Sequence, residues 1–301
     1  MILTATLAAL AFPAIDPVAI ALGPIVIKWY ALAYIAGIVG GWWAMRRLVE
    51  SPGLWGGLKR PTPTDIDDLV VWVALGVVLG GRVGYVLFYN WPAYVANPLE
   101  ILAIWRGGMS FHGGFAGTVL ALLLIARARG LSGLAMLDLA AVVVPLGLLL
   151  GRLANFVNGE LWGRPAPDLP FAIVFPGAGP LPRHPSQLYE ALGEGLVLLV
   201  VMALATRAFG FRRPGLLGGI FVLGYAIART ACEFFREPDA QLGFLFGRSV
   251  EALSGGITMG MLLSLPLAVV GVVLIALASR GRTRPKLAAP ARAEPAEAGS
   301  A

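Results

Sequence analysis

Residues 151–164, GRLANFVNGELWGR, place two arginines, two asparagines, a glutamate and three glycines within fourteen positions. They follow directly on an apolar run, 134–150. A charge at the middle of a bilayer costs about 2.5–3.5 kcal/mol on insertion scales, so ionisable groups at the end of a membrane helix imply work of some kind. Arg152 and Asn155 stand three apart and can look out of one helix face. The glycines let a backbone, a lipid headgroup or another helix come close. Two readings follow from this stretch alone: a polar helix end that ties loops together, or a site for an anionic group.

Other stretches offer compatible chemistry. Ser110-Phe111-His112-Gly113-Gly114 sets a histidine before two glycines, which leaves the ring accessible. An ordinary pKa near 6.5 suits His112 to general base work; a hydrogen bond to a neighbouring helix is the competing role. Arg229, Glu233 and Arg236, at i, i+4 and i+7, share a helix face. An Arg229–Glu233 ion pair leaves Arg236 over, so this stripe reads as net cationic, and guanidinium groups bind phosphate oxygens through a bidentate fork. Arg82, Tyr85 and Tyr89 also share a face; the tyrosines suit an aromatic belt and Arg82, inside its apolar run, must look inward. Lys28, Trp29, Tyr30 and Tyr34 form a similar cluster. HPSQLYE, 184–190, reads mainly as a helix start with Pro185 well placed for the first turn, leaving Gln187 and Glu190 as supporting groups. Arg82, His112, Arg152, Asn155, Glu160, Arg229 and Glu233 are therefore expected to converge, with an arginine excess that suits an anionic lipid headgroup.

The elements that must position them are membrane helices. Only 13% of the 301 residues are charged and 58% are hydrophobic, with a mean hydropathy of +0.79, whereas soluble domains carry about 25% charged residues. An all-α polytopic membrane protein is expected. The net charge of +6, from 23 basic and 17 acidic residues, lies in short loops between apolar runs and so points to topology rather than nucleic acid. The single cysteine, Cys232, precludes an intrachain disulfide and a cysteine-rich metal site, and two histidines without HExxH spacing argue against zinc. Residues 1–12 are apolar but lack a basic start, since Lys28 is the first cation; they read as a surface segment and a poor signal peptide.

Seven apolar stretches, about 24–45, 67–89, 109–126, 134–151, 187–206, 215–234 and 257–279, approach the length needed to cross about 30 Å of hydrocarbon. Fourteen of the 23 basic residues follow the odd-numbered stretches and six lie on the other side. By the positive-inside rule the N-terminus is outside and the C-terminus cytoplasmic. The 151–164 motif and the long loop 160–186 then lie outside, the latter as a lid or collar. Residues 1–280 form one integral membrane domain, and 281–301, rich in Ala, Pro and Glu, a disordered cytoplasmic tail. No internal repeat supports an inverted-repeat transporter.

GRLANFVNGELWGR, MSFHGG, LPRHPSQLYE, GGRVGYVLFYN and EFFREPDAQ together resemble the prolipoprotein diacylglyceryl transferases of bacteria, from about residue 17 to about residue 280. Ala154 stands where that family usually has glycine. The resemblance implies an enzyme of the bacterial cytoplasmic membrane that moves the diacylglyceryl group of phosphatidylglycerol onto the lipobox cysteine of preprolipoproteins. It would release glycerol 1-phosphate and act without metal or organic cofactor. It also implies functional roles for Tyr30, His112, Arg152, Asn155, Gly163, Arg229 and Glu233. On this reading the nucleophile is the substrate's thiol, whose ordinary pKa of about 8.5 calls for a base or a cationic setting. His112 is the candidate base, or orients the lipid. Arg152 and Arg229 would stabilise charge on the departing phosphate, with Glu233 orienting Arg229. Asn155 and Tyr30 would hold headgroup oxygens.

Overall fold

The computed structural model describes residues 10–13, 15–238, 243–245, 256–281 and 283, and within these the chain is mostly helical. α1 spans Trp29–Val49, α2 Pro63–Phe88, α3 Trp91–Ala96, α4 Phe111–Ala128 and α5 Gly133–Val157. A continuous helical rod follows, made of α6 (Ser186–Glu190), a π-helical stretch (Ala191–Val197) and α7 (Leu198–Phe209). α8 spans Leu216–Glu233 and α9 Met259–Ser279. Six of these units are long and apolar enough to cross a bilayer: α2, α4, α5, the 186–209 rod, α8 and α9. α1 is of similar length, but tryptophans, tyrosines and Arg46–Arg47 lower its hydropathy. Only 17% of the most apolar window of α9 is buried inside the protein, as expected of a helix that faces lipid.

Five of the helix starts have a local cause. Thr62 and Asp65 form a reciprocal capping box at α2, at 3.2 and 2.8 Å. Ser110, Ser132 and Thr258 accept from backbone amides at the starts of α4, α5 and α9. α8 has no cap of its own. Asp138, fully buried on α5, reaches across and accepts from Gly215 N at 2.7 Å and Gly218 N at 2.6 Å. One carboxylate thus satisfies two orphan donors and opposes the positive end of the helix dipole.

α2 and α4 pack through glycine. Gly80 faces Gly113 and Gly117, and Gly76 faces Gly117; a Cβ on any of these would strike the facing carbonyl oxygen. Close backbone approach of this kind is the usual basis of helix association in lipid. Gly117→Val is expected to cost about 3 kcal/mol or more, since overpacking typically costs 1–3 and here backbone must move. Thermal unfolding in detergent measures it, and an unchanged midpoint would show that α2 and α4 can slide apart freely.

The arginine-rich loops meet at one end of the bundle. Trp55 stacks on Phe211 with centroids 4.5 Å apart, Lys59 Nζ donates to Arg129 O at 2.6 Å, and Arg129 pairs with Asp65 and Asp68. Arg46 binds Asp67, which also accepts from Trp42 Nε1 at 2.7 Å. The 151–164 motif lies at the opposite end.

Two expectations need correction. Residues 24–28 do not begin a span: Ile25–Lys28 (β3) pairs antiparallel with Val18–Leu22 (β2) around Gly23 at φ +58°, and Leu10–Ala11 (β1) pairs in parallel with Ile173–Val174 (β4). A β-branched apolar run cannot be told from helix by hydropathy alone, so the chain is mostly rather than wholly helical. α5 passes 151 and ends at Val157, where Asn158 and left-handed Gly159 terminate it. Arg152 and Asn155 are thus helical residues, and Pro145 does not end the helix. The expected surface segment 1–12 and tail 281–301 lie outside the described residues, apart from residues 10–12, 281 and 283.

Candidate functional site

Two glutamates on the 186–209 rod are fully buried: Glu190, the last residue of α6, and Glu194 in the π-helical stretch. Burial of a carboxylate requires partners, and three arginines provide them. Arg152, from α5, lies 3.4 Å from Glu190 and 3.2 Å from Glu194. Arg229, from α8, lies 2.6 Å from Glu190 and 3.6 Å from Glu194, and pairs with Glu233 on its own helix. Arg236 lies 3.1 Å from Glu190. π-Helical turns are rare and recur at functional sites. Here Gly195 brings the rod against α5, where a Cβ would sit 2.6 Å from Leu149 Cα.

Among the described residues, these three arginines meet Glu190, Glu194 and Glu233. The expected cationic stripe is corrected: its counter-charges come from another helix, which the spacing along α8 alone does not reveal. The Arg152 and Arg229 side chains remain 17% and 15% exposed while their carboxylates are sealed behind them. Both side chains therefore keep some exposed surface beside the sealed carboxylates.

The support continues into α9. Thr258 Oγ1 accepts from Met261 N at 3.2 Å as the helix cap and donates to Glu233 Oε2 at 2.6 Å. At Gly260 an added Cβ would come within 2.5 Å of the Glu233 carboxylate. One hydroxyl thus starts α9 and fixes the carboxylate that holds Arg229. Thr258→Val, which keeps the shape but loses both bonds, is expected to lower turnover about tenfold, whereas Thr258→Ser restores it, each lost hydrogen bond to a charged group being worth about 1.5–3 kcal/mol. Equal activity of the two variants in a steady-state assay would remove Thr258 from this chain. Cys232 is buried beside Gly193, whose Cβ would lie 3.9 Å from the sulfur.

Gly163 sits where three backbone segments cross. Its N–H donates to His184 O at 2.9 Å, and Arg164 N donates to Phe235 O at 2.8 Å. A Cβ there would meet His184 Cβ, His184 O and Phe235 O, each at 2.6 Å. Arg164 is buried and donates to Arg236 O and Glu233 O, both at 2.9 Å. His184 packs between Tyr189 and Phe235, and its Nδ1 lies 3.2 Å from the Tyr189 hydroxyl. Burial, with the Arg164 charge second, holds the His184 imidazole below its ordinary pKa. The loop 160–186 is thus stitched to the helix ends, with Phe175 buried under Phe12, Phe156 and Trp162.

Asn155 Nδ2 donates to Glu160 Oε1 at 2.8 Å, and Gln187 Nε2 to Glu160 O at 2.6 Å. Between them Leu161 holds a left-handed φ of +58°, a cost that surrounding contacts must outweigh. Tyr30 is half-buried with its hydroxyl 3.3 Å from that of Tyr34, which lies within electrostatic range of Arg152 and Glu160. Tyr30, Arg152, Asn155, Glu160, Gly163, Arg229 and Glu233 are therefore brought together.

Two predicted residues stand apart. His112 is exposed on the first turn of α4, its ring edge-on to Phe111 at 5.7 Å. Arg82 is buried, but its guanidinium spends its donors on the carbonyls of Glu100, Ile101, Ala103, Gly107 and Gly108 and lies over the Tyr94 ring. The expectation that Arg82 joins the converging set is corrected: an arginine inside a span takes the nearest unpaired carbonyls, and loop 97–108 presents five. Glu194 and Thr258 were missed, and Glu190 was read only as a supporting group. Two acids four apart in the cation-free run 187–206 were a legible signal, because an intramembrane carboxylate marks a site by default.

A family profile described as prolipoprotein diacylglyceryl transferase matches residues 17–277. The phosphatidylglycerol–prolipoprotein diacylglyceryl transferase of Beijerinckia indica is 58% identical over 268 residues, which cover 88% of this chain and 94% of that protein. That of Nitrobacter hamburgensis is 56% identical over 276 residues (91% and 92%). That of Rhodopseudomonas palustris is 54% identical over 284 residues (94% and 96%).

Proposed function

The chain belongs to the prolipoprotein diacylglyceryl transferase family, and from that premise we propose that it transfers the diacylglyceryl group of phosphatidylglycerol to the lipobox cysteine of preprolipoproteins. The substrate thiolate attacks the glyceryl carbon bonded to the phosphate oxygen. A C–S bond forms, the C–O bond breaks with its electron pair left on oxygen, and glycerol 1-phosphate departs. The observation that carries this reading is the Arg152–Arg229 pair, each side chain partly exposed and each backed by fully buried carboxylates. Such an arrangement is preorganised: the donors are fixed before charge develops on the leaving phosphate.

Asn155, Tyr30 and Glu160 are assigned to the headgroup hydroxyls and ester oxygens, and Gly163 to the close backbone crossing that carries Arg164 and His184. Glu233 orients Arg229. Arg82 holds the 97–108 loop through its carbonyls. His112, open at the end of α4, takes the thiol proton. The reaction needs no metal or organic cofactor, and no nucleic acid partner is assigned. α1 counts as a seventh span, lengthwise against α5, with the N-terminus outside, the C-terminus in the cytoplasm and the site on the outer side of the bacterial inner membrane. Residues 160–186 form the collar of the membrane domain.

The test uses purified protein in detergent with phosphatidylglycerol and a lipobox peptide. Glycerol phosphate release that requires the peptide thiol and survives Cys232→Ser supports the proposal. Folded, lipid-binding protein that releases none defeats it, and loss of activity in His112→Gln without loss of lipid binding assigns the base.

A further inference from the structure

The β2–β3 hairpin leads straight into the site. β3 ends at Lys28, α1 starts at Trp29, and Tyr30 is its second residue. Tyr34, one turn on, has its hydroxyl beside that of Tyr30 and lies within electrostatic range of Arg152 and Glu160. Beyond its base the hairpin stands clear of the helices. Leu22, Ile25 and Val26 are 65%, 60% and 53% exposed, and a Cβ added at Gly23 would find no atom within 4 Å. Among the described residues β2 and β3 pair only with each other. Alternate residues of an antiparallel pair turn their N–H and C=O outward, so the ribbon has two open edges.

Those edges decide what can cover it. No ionisable residue lies between Asp16 and Lys28, so the charges that usually guard an open edge are missing along both strands. Hydrocarbon is a poor cover, because lipid tails cannot bond the outward backbone groups. Water satisfies the backbone but leaves the apolar side chains wet. An extended, uncharged peptide satisfies both: its backbone pairs with an edge, and its alternate side chains lie along the apolar faces. Resting on the transferase reading above, we propose that the β2–β3 hairpin is the docking edge for the acceptor peptide. An extended segment beside the reacting cysteine adds to it as a third strand, which carries the thiol towards Tyr30. Four residues of strand span about 13 Å, so a short docked segment reaches from the tip to the hairpin base.

The experiment uses full-length protein in detergent with phosphatidylglycerol and a lipobox peptide, unmodified or N-methylated at one backbone position at a time. Methylation removes one N–H, and only alternate amides of an added strand face its neighbour. KM for the peptide is expected to rise about three- to tenfold at every second position, the net worth of one backbone hydrogen bond, and less than about twofold at the positions between. KM for phosphatidylglycerol stays unchanged. Effects without this alternation overturn strand addition, and this arm needs no variant to fold. A photo-crosslinking p-benzoylphenylalanine in place of Val26 locates the contact, and is expected to capture the peptide. Capture of phospholipid alone would make the hairpin a membrane contact, and capture of neither would leave the peptide elsewhere; both outcomes sink the proposal. Failure of the transferase reading shows separately, as absence of glycerol phosphate release by the wild type with the unmodified peptide.

Discussion

Glu190→Ala is expected to leave little folded protein. The carboxylate is fully buried and receives Arg229 at 2.6 Å, Arg236 at 3.1 Å and Arg152 at 3.4 Å. These cations come from α5, α8 and the segment just after it, so one side chain joins three parts of the bundle. Removing one member of a buried ion pair costs about 3–5 kcal/mol, because the partner charge remains buried without compensation. Here three partners lose their shared acceptor at once, against a total stability of roughly 5–15 kcal/mol for a typical domain. Glu190→Gln, which keeps an acceptor oxygen but not the charge, should be milder. The control is Glu100, whose pair with Arg106 is as short, 2.8 Å, but more than half exposed on both sides. A pair of that kind contributes about 0–1 kcal/mol, so Glu100→Ala should not move the unfolding midpoint measurably. The recovery of monodisperse protein and its thermal midpoint decide the matter. A Glu190→Ala protein as stable as the Glu100→Ala control would show that the arginines find water or lipid instead.

What could be read in advance follows from the range of the forces. Membrane spans are set by hydropathy over some twenty residues, so α2, α4, α8 and α9 were legible within a few positions, as was the start of α5 but not its polar end. The 24–28 stretch was not, since β2–β3 pairing depends on the partner strand and on the turn at Gly23. Arg152, Asn155, Glu160, Arg229 and Glu233 could be found because a charge at a helix end is conspicuous against apolar neighbours. Their partners could not all be found. Glu194 and Glu190 lie on a rod remote in sequence from both arginines, and Thr258, which meets Glu233, stands 25 residues away from it in sequence. Arg82 shows the reverse error: its inward direction was predictable, whereas its acceptors depend on the path of a connection built from two short 3-10 turns, Pro98–Leu102 and Ile104–Arg106. Gly163 is intermediate. The sequence marks it as a place for close approach, and only the crossing with His184 and Phe235 explains why no side chain fits.

Arg152→Gln is expected to remove about 10²–10³ in kcat, the usual loss when one preorganised donor to a developing oxyanion is taken away, while the fold survives. The asymmetry with Glu190 follows from the partner counts. When Arg152 goes, Glu190 keeps Arg229 and Arg236, and Glu194 keeps Arg229 at 3.6 Å. No carboxylate is left without a cation, so stability should fall far less than rate. Arg152→Lys should not rescue. Arg152 addresses Glu190 and Glu194 with separate nitrogens, Nη1 and Nη2, a division of labour that a planar guanidinium allows and a single ammonium cannot reproduce. If Arg152 acts on the leaving phosphate, KM for phosphatidylglycerol should change less than kcat, because its contact strengthens as charge develops. Initial rates across a range of lipid concentration, paired with unfolding midpoints, separate the outcomes. A rise in KM alone would make Arg152 a ground-state headgroup clamp, and near-normal rates in Arg152→Lys would mean that charge suffices without the fork.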